Sequence, residues 1–281
     1  MRRIGEKMKL GVQIILDKKS DIAEKIRKVR ELGFDWCQIV CWHMDLYTDE
    51  NARKINDACK ECGVGISSFW AGWTGPKFWN FVDGPATLGI VPPDYRYQRT
   101  QELLSGSDFA KKLGVDKVAT HVGFVPENPM DPNYQPLVST IKYIANYCKA
   151  NGQYFLFETG EETPVALLRL FEDTGCDNLG VNYDTANLIL YGKANPVDGL
   201  DVIGKYVLDM HAKDGNYPTS GRSLGEQKQI GEGAVDFPAV FKKLKSIGYD
   251  GHITIEREIS GEQQILDIIE SKKYLERLIN D

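Results

Sequence analysis

YFLFETG (residues 154–160), LGVNYDTAN (179–187) and VLDMHAKD (207–214) are three short apolar runs that end on or just after Glu158, Asp184 and His211. Runs of this length, rich in Val, Leu, Tyr and Phe, predict buried β-strands. HITIE (252–256) repeats the pattern and ends on Glu256. Amphipathic helical segments separate these runs, and strands that alternate with helices predict parallel βαβ units.

The same alternation extends outward over the whole chain. It predicts eight strands, at residues 10–15, 36–42, 65–70, 117–122, 154–158, 179–183, 207–211 and 252–256. It predicts eight helices, at residues 21–32, 49–62, 96–113, 135–150, 164–173, 196–205, 237–247 and 262–279. An open doubly wound sheet would normally carry a glycine-rich phosphate turn after its first strand, and residues 16–20 (LDKKS) contain none. The sequence therefore predicts an α/β fold, a (β/α)8 barrel, as a single domain over residues 1–281.

Composition narrows the function classes. The chain has 281 residues, with 34 Lys and Arg against 40 Asp and Glu, so its net charge of −6 argues against a nucleic-acid partner. No apolar run approaches the roughly 18 residues of a membrane span. Residues 1–7 (MRRIGEK) are not followed by the apolar segment of a secretory signal, which predicts a cytoplasmic protein. Six cysteines are too few for a disulfide scaffold and indicate reduced thiols.

The four residues at the strand ends predict a metal site. In a closed barrel the carboxyl ends of strands five to eight are neighbours, so Glu158, Asp184, His211 and Glu256 are expected to converge. Three carboxylates at close range resist simultaneous ionisation, and a divalent cation relieves that conflict. Three oxygen donors and one imidazole suit Mn²⁺, Mg²⁺, Co²⁺ or Zn²⁺. Any one of these residues alone would be read as an ordinary polar strand end.

The motifs around the candidate metal ligands resemble those of a known family. The chain resembles the xylose-isomerase-like TIM barrels, a group of sugar and sugar-phosphate isomerases and epimerases that includes tagatose 3-epimerase. The similarity rests on FET (157–159), DTAN (184–187), HAKD (211–214), GEGAVDF (231–237) and IE (255–256). It implies that Glu158, Asp184, His211 and Glu256 bind one divalent metal, Mn²⁺ first among the candidates. It also implies that Glu158 and Glu256 are the catalytic acid/base pair.

The expected activity is that of a metal-dependent isomerase or epimerase of a ketose or ketose phosphate. A cation would stabilise the enediolate that forms when the C–H next to the carbonyl loses its proton. Return of the proton to the other face inverts the carbon, and delivery to the neighbouring carbon isomerises the sugar. Loss of hydroxide would make the protein a dehydratase, as in the inosose-processing relatives. Two further alternatives are an abasic-site endonuclease, which needs more ligands than four histidines supply, and a non-catalytic sugar-binding barrel.

Substrate contacts are expected from residues around the predicted metal. His121 ends the fourth strand, and Trp70 begins the aromatic loop after the third. Asn187 stands where ketose 3-epimerases often have a histidine, and GNY (215–217) stands where they have an arginine, so Arg222 or Arg257 is expected to serve instead. The resemblance implies a small sugar as the partner and allows a homo-oligomer. Glu161 and Glu162 are read as a charged stretch before a helix, and His252 as a structural residue at the opposite end of the barrel.

Overall fold

Eight parallel strands close into a barrel in a computed structural model of the chain, which describes residues 8–281. The expectation about a secretory signal rests on residues 1–7 and lies outside the described part. The barrel strands are β1 (Lys9–Leu16), β2 (Trp36–Cys41), β3 (Gly65–Ala71), β4 (Lys117–Thr120), β5 (Tyr154–Glu158), β6 (Leu179–Asp184), β7 (Val207–Ala212) and β10 (His252–Ile255). Around the barrel they follow the order β1, β10, β7, β6, β5, β4, β3, β2, which confirms the predicted (β/α)8 fold. A separate antiparallel ribbon pairs β8 (Asp214–Gly215) with β9 (Gln227–Lys228).

Helices connect the strands on the outside of the barrel. They are α1 (Ile22–Glu31), α2 (Asp49–Cys62), α3 (Gly84–Thr87), α4 (Pro93–Lys112), α5 (Tyr134–Ala150), α6 (Pro164–Thr174), α7 (Thr185–Leu190), α8 (Pro196–Ile203), α9 (Phe237–Ser246) and α10 (Glu262–Asn280). Short 3₁₀ turns lie at Met44–Leu46 and Gly204–Tyr206. Within residues 8–281, no helix is both long and apolar enough to cross a lipid bilayer.

The predicted helices are confirmed, whereas α3 and α7 are additions that the sequence does not signal. Both have six residues or fewer, which is less than two turns and too short for a helical period to be recognised. The helix α7 matters for the site, because Asp184 is its N-cap. The helix α4 begins at Pro93, three residues before the predicted start, since proline suits the first turn of a helix.

Apolar side chains pack in two places, between the helices and the barrel and inside the barrel itself. One face of each long helix is apolar and packs on the outside of the barrel, as Ile26 and Val29 of α1 do. Inside the barrel, a small apolar cluster is formed by Val40, Trp70, Ala119 and Leu156. Alternate residues of a barrel strand point inward. The inward positions at the carboxyl ends of β5, β6 and β7 therefore carry polar side chains above that cluster.

Candidate metal centre

Glu158, Asp184, His211 and Glu256 come together at the carboxyl end of the barrel. Their ligand atoms all lie within 4.8 Å of one another, and all four residues are buried. The Nδ1 atom of His211 lies 3.4 Å from Glu158 Oε1, 3.5 Å from Asp184 Oδ2 and 3.0 Å from Glu256 Oε2. One imidazole nitrogen thus faces three carboxylate oxygens. Within residues 8–281 this is the one group of at least three such side chains that fits a metal ion.

The donor atoms of this group fit a divalent cation. Asp184 Oδ2, His211 Nδ1 and Glu256 Oε2 are buried and accept or donate no hydrogen bond. Buried polar atoms are rarely left unpaired, so three unpaired atoms directed at one point require a partner. Carboxylate oxygens with one imidazole nitrogen are ligands that Mg²⁺, Mn²⁺ and Zn²⁺ accept. The residues present therefore match the predicted metal site.

The charges of the group show what a cation would replace. Burial opposes ionisation of His211, but the carboxylates of Glu158 and Glu256 outweigh burial and raise its pKa well above the usual value. Burial likewise opposes the charge of Glu158, yet His121 and His211 lower the pKa of that carboxyl well below its usual range. For Asp184 burial prevails and raises the pKa to about 6. The carboxylates therefore favour a positive charge at the centre of the group, which is what a bound divalent cation would supply.

Neighbouring side chains hold the carboxylates in place. Asp184 Oδ1 accepts a 2.8 Å hydrogen bond from the backbone N–H of Asn187 at the start of α7, which leaves Oδ2 for the centre of the group. The Asn187 side chain donates to Glu158 Oε1 at 3.1 Å, and the Trp70 indole N–H donates to Glu158 Oε2. Gln13 of β1 donates to Glu256 Oε1 at 3.0 Å. Asn187 and Trp70, predicted to contact substrate, both contact Glu158.

His121 bridges two glutamates. Its Nε2 lies 3.2 Å from Glu158 Oε1, and its Nδ1 lies 3.0 Å from Glu161 Oε2. Burial opposes protonation, but Glu161 and Glu158 raise the pKa of His121 well above the usual value. His121 therefore lies beside Glu158 with its ring held from both sides, and its contact with substrate stays a prediction.

Glu161 and Glu162 differ from the expected solvated stretch, because both are buried. The loop after β5 folds inward before α6 begins, so that Glu161 meets His121 and accepts a 3.4 Å hydrogen bond from the Tyr191 hydroxyl. Neither carboxylate oxygen of Glu162 has a hydrogen-bond partner, and burial followed by the nearby Glu161 raises its pKa well above the usual value. A pair of adjacent glutamates gives no sequence signal for this, since the same letters are typical of an exposed helix start.

Lys213 is a functional candidate that sequence reasoning missed. Its buried ammonium lies 3.0 Å from Glu258 Oε2, 3.4 Å from Glu256 Oε2 and 3.8 Å from Asp184 Oδ2. Burial opposes its charge, but Glu256 and Glu258 outweigh burial and raise its pKa well above the usual value. The HAKD motif contains this lysine, but lysines are almost always exposed, and the motif alone does not indicate that this one is buried.

A cavity of about 820 Å³ lies beside the group and is lined by Glu158 and Glu256. Trp42, Trp70 and Trp79 form its aromatic wall. Its polar lining includes Gln13, His121, Glu158, Asn187, Lys213, Gln227, Glu256, Arg257 and Glu258, together with Lys25 and Lys28 of α1. Sugars combine apolar C–H faces with hydroxyl groups, and aromatic rings beside polar side chains match both.

The two predicted arginines differ in their placement. Arg257 lines the cavity, but its guanidinium donates to Asp267 Oδ2 at 2.7 Å and to Gln227 Oε1 at 3.0 Å. Arg222 has an exposed side chain on the loop between β8 and β9 and does not line the cavity. His252 begins β10 at the opposite end of the barrel, where its Nδ1 lies 3.4 Å from Lys117 Nζ.

The chain matches a family model and several curated relatives. The family model describes a xylose isomerase-like TIM barrel and matches residues 26–278. An uncharacterized protein of Methanocaldococcus jannaschii is 27% identical, with 97% of this chain and 89% of that protein aligned. An inosose dehydratase of Geobacillus thermodenitrificans is 28% identical over a shorter region, 36% of this chain and 37% of the dehydratase.

Solved structures of the same architecture superpose over nearly the whole chain. A xylose isomerase domain protein from Planctomyces limnophilus is 31% identical, covers 97% of both chains and has a TM-score of 0.90. A D-tagatose 3-epimerase-like protein is 26% identical, also covers 97% of both chains and has a TM-score of 0.71. These similarities extend across the barrel strands that carry the four converging residues.

Proposed function

The chain belongs to the xylose isomerase-like TIM barrel family, and from this premise we propose that it is a metal-dependent isomerase or epimerase of a ketose or ketose phosphate. The observation that carries the proposal is the convergence of His211 Nδ1 with three carboxylate oxygens, three of these four atoms having no hydrogen-bond partner. The likeness to a D-tagatose 3-epimerase-like protein supports the choice of substrate class.

Glu158, Asp184, His211 and Glu256 would hold the cation, with Mn²⁺ as the proposed ion and Mg²⁺, Co²⁺ or Zn²⁺ as alternatives. A bound divalent ion supplies a Lewis acid that stabilises negative charge on the substrate oxygens. Three oxygen donors with one imidazole do not distinguish strongly among these ions, so geometry and availability decide.

Glu158 and Glu256 are the proposed acid/base pair. Both line the cavity, and β6 and β7 lie between the strands that carry them, so the two carboxylates reach the centre from different sides. One carboxylate takes the proton from the carbon next to the carbonyl, the C–H electron pair forms the new C=C bond, and the π pair of the carbonyl moves onto its oxygen. The other carboxyl, carrying a proton, returns it to the opposite face. The hydrogen bonds from Trp70 and Asn187 to Glu158, and from Gln13 to Glu256, hold the two carboxylates in place.

A dehydratase is the second candidate, and Lys213 is the observation that favours it. The Lys213 ammonium lines the cavity 3.4 Å from Glu256, where it can donate a proton to a departing hydroxyl group. In that reaction a glutamate removes the proton from carbon, the C–O bond at the next carbon breaks, and the hydroxyl leaves as water. The similarity to an inosose dehydratase agrees with this alternative.

Deuterium exchange tests both candidates. The Mn²⁺-loaded protein is incubated in D₂O with a panel of free ketoses, ketose phosphates and inososes, and products are followed by NMR. We expect deuterium at the carbon next to the carbonyl with either an epimerised or isomerised sugar, or with a dehydrated product. Glu158→Gln and Glu256→Gln should each abolish exchange, whereas Glu226→Gln, an exposed residue paired with Lys228, should not. Absence of exchange with every compound, or exchange retained in both cavity variants, would refute the proposal.

A further inference from the structure

The second ring nitrogen of His211 has its own partner inside the barrel. His211 Nε2 lies 2.7 Å from Gln38 Oε1, and Gln38 Nε2 donates to Ser68 Oγ at 2.9 Å. All three residues are buried, His211 on β7, Gln38 on β2 and Ser68 on β3. Because β1 and β10 lie between β2 and β7, Gln38 reaches His211 across the barrel interior rather than along a shared strand edge.

The chemistry of the two groups sets the direction of this hydrogen bond. An amide offers one acceptor oxygen and one donor nitrogen, and a neutral imidazole offers one N–H and one lone pair. Since the Gln38 nitrogen is engaged by Ser68, its oxygen faces His211 and accepts from Nε2–H. The lone pair of the neutral ring is then on Nδ1, which is the atom that faces the three carboxylates.

A second amide favours the opposite arrangement. Asn182 Nδ2 lies 3.0 Å from the same Nε2 atom and 3.4 Å from Glu158 Oε2. If Nε2 carried the lone pair, Asn182 could donate to it, and the proton would then lie on Nδ1 and block metal binding. The Gln38 oxygen is closer, and it is the group on this side of the ring that makes Nε2 the protonated atom.

We propose that Gln38 is a positioning residue that holds His211 with Nε2 protonated and Nδ1 free to bind the cation. The inference rests on the proposed metal centre but not on the identity of the substrate or the reaction. Groups that accept the free N–H of a ligating histidine fix its ring and tautomer, and their loss weakens metal binding by about 10- to 100-fold. Loss of Gln38 should have an effect of this size, because Asn182 would then favour the wrong tautomer.

Metal affinity of four proteins tests the role of Gln38. The wild-type chain, Gln38→Leu, Gln38→Glu and Gln153→Leu are stripped with a chelator, and each is titrated with Mn²⁺ by calorimetry. Gln153 is a matched control, because it is also a buried glutamine with amide hydrogen bonds, to Ser107 and Val115 outside the metal centre. The melting temperature of each metal-free protein is measured alongside.

We expect Gln38→Leu to bind Mn²⁺ about 10- to 100-fold more weakly than wild type. Gln38→Glu should stay within about threefold, since a carboxylate still accepts the Nε2 proton and strengthens the imidazole as a ligand. Gln153→Leu should lower the melting temperature and leave affinity unchanged. If Gln38 had a purely structural role, Gln38→Glu would not restore Mn²⁺ affinity, because a buried glutamate stabilises the fold less well than a buried leucine.

Two results would overturn the inference. One is Mn²⁺ affinity of Gln38→Leu within about twofold of wild type, and the other is Gln38→Glu binding as weakly as Gln38→Leu. If Gln38→Leu does not fold, Ser68→Ala replaces it, because it removes only the hydroxyl that holds the Gln38 amide and should weaken binding by about 2- to 10-fold. Failure of the wild type to bind any ion is a different outcome, which refutes the metal centre itself.

Discussion

Asp214→Asn tests how the loop beside the cavity is held. The buried Asp214 carboxylate accepts four backbone N–H groups, from Gly215 and Val235 on Oδ1 and from Gly231 and Gly233 on Oδ2. The close approach explains Gly233 of GEGAVDF (231–237), since a Cβ there would lie 2.2 Å from Asp214 Oδ1, whereas Gly231 has a φ of +93°, which favours glycine. The carboxylate therefore fixes the segment that follows β9, and β9 carries Gln227 of the cavity lining.

The expected loss in the free energy of unfolding follows from the number of backbone N–H groups that lose their acceptor. Asparagine keeps one acceptor oxygen, so two of the four N–H groups would face an NH₂ group. A buried donor left without an acceptor costs about 1–3 kcal/mol, which gives a loss of about 2–6 kcal/mol in the free energy of unfolding. That is a large part of the roughly 5–15 kcal/mol that stabilises a typical protein.

Urea unfolding of the metal-free protein measures this loss by circular dichroism and tryptophan fluorescence. If the free energy of unfolding falls by about 3 kcal/mol per molar urea, the urea midpoint should fall by about 0.7–2 M. Asp236→Asn is the control, because the Asp236 carboxylate accepts one N-cap hydrogen bond, from the backbone N–H of Ala239, and asparagine caps helices equally well. If the urea midpoint of Asp214→Asn lies as close to the wild-type midpoint as that of Asp236→Asn does, Asp214 does not hold this loop in place.

Three further predictions concern the barrel end, a backbone contact and the acid/base pair. Burial, followed by the nearby lysine charges, lowers the pKa of His252 to about 4 from 6.5, so the folded chain gains no proton there while the unfolded chain does. The free energy of unfolding should therefore fall by about 3 kcal/mol as the pH drops from 6.5 to 4, and this component should be missing in His252→Gln unfolding curves. Gly89→Ala should lose about 2 kcal/mol or more, seen as a lower melting temperature, because its Cβ would lie 2.0 Å from the Val122 carbonyl at a φ of +67°. Trp70→Phe removes the indole donor to Glu158 but keeps the aromatic wall, so kcat/KM for the substrate found in the panel should fall by about one to two powers of ten, and an unchanged value would contradict its positioning role.

The four converging residues could be predicted from sequence because each is the last polar residue of an apolar run. Strand periodicity and barrel closure together bring the carboxyl ends of such runs to one place. Glu158 and Asp184 end β5 and β6, and Glu256 follows β10 directly. No contact had to be known in advance, since the topology alone makes these residues neighbours.

The residues that support the site could not be predicted in the same way. Gln13 contacts Glu256 across 243 positions of the sequence, and Gln38 contacts His211 across 173. Each is a single polar letter within an apolar strand, and nothing in the local pattern indicates which distant side chain it meets. The burial of Lys213 and Glu161 has the same cause, because the charges that stabilise them come from other strands and loops.

Metal content tests the central claim most directly. A chelator-stripped chain titrated with Mn²⁺ should bind one ion per chain. Asp184→Asn should bind none at the same concentrations, although asparagine can still cap α7 and keep the barrel folded. A wild-type chain that takes up no divalent ion, or an Asp184→Asn variant that binds as tightly as wild type, would contradict the assignment of these four residues.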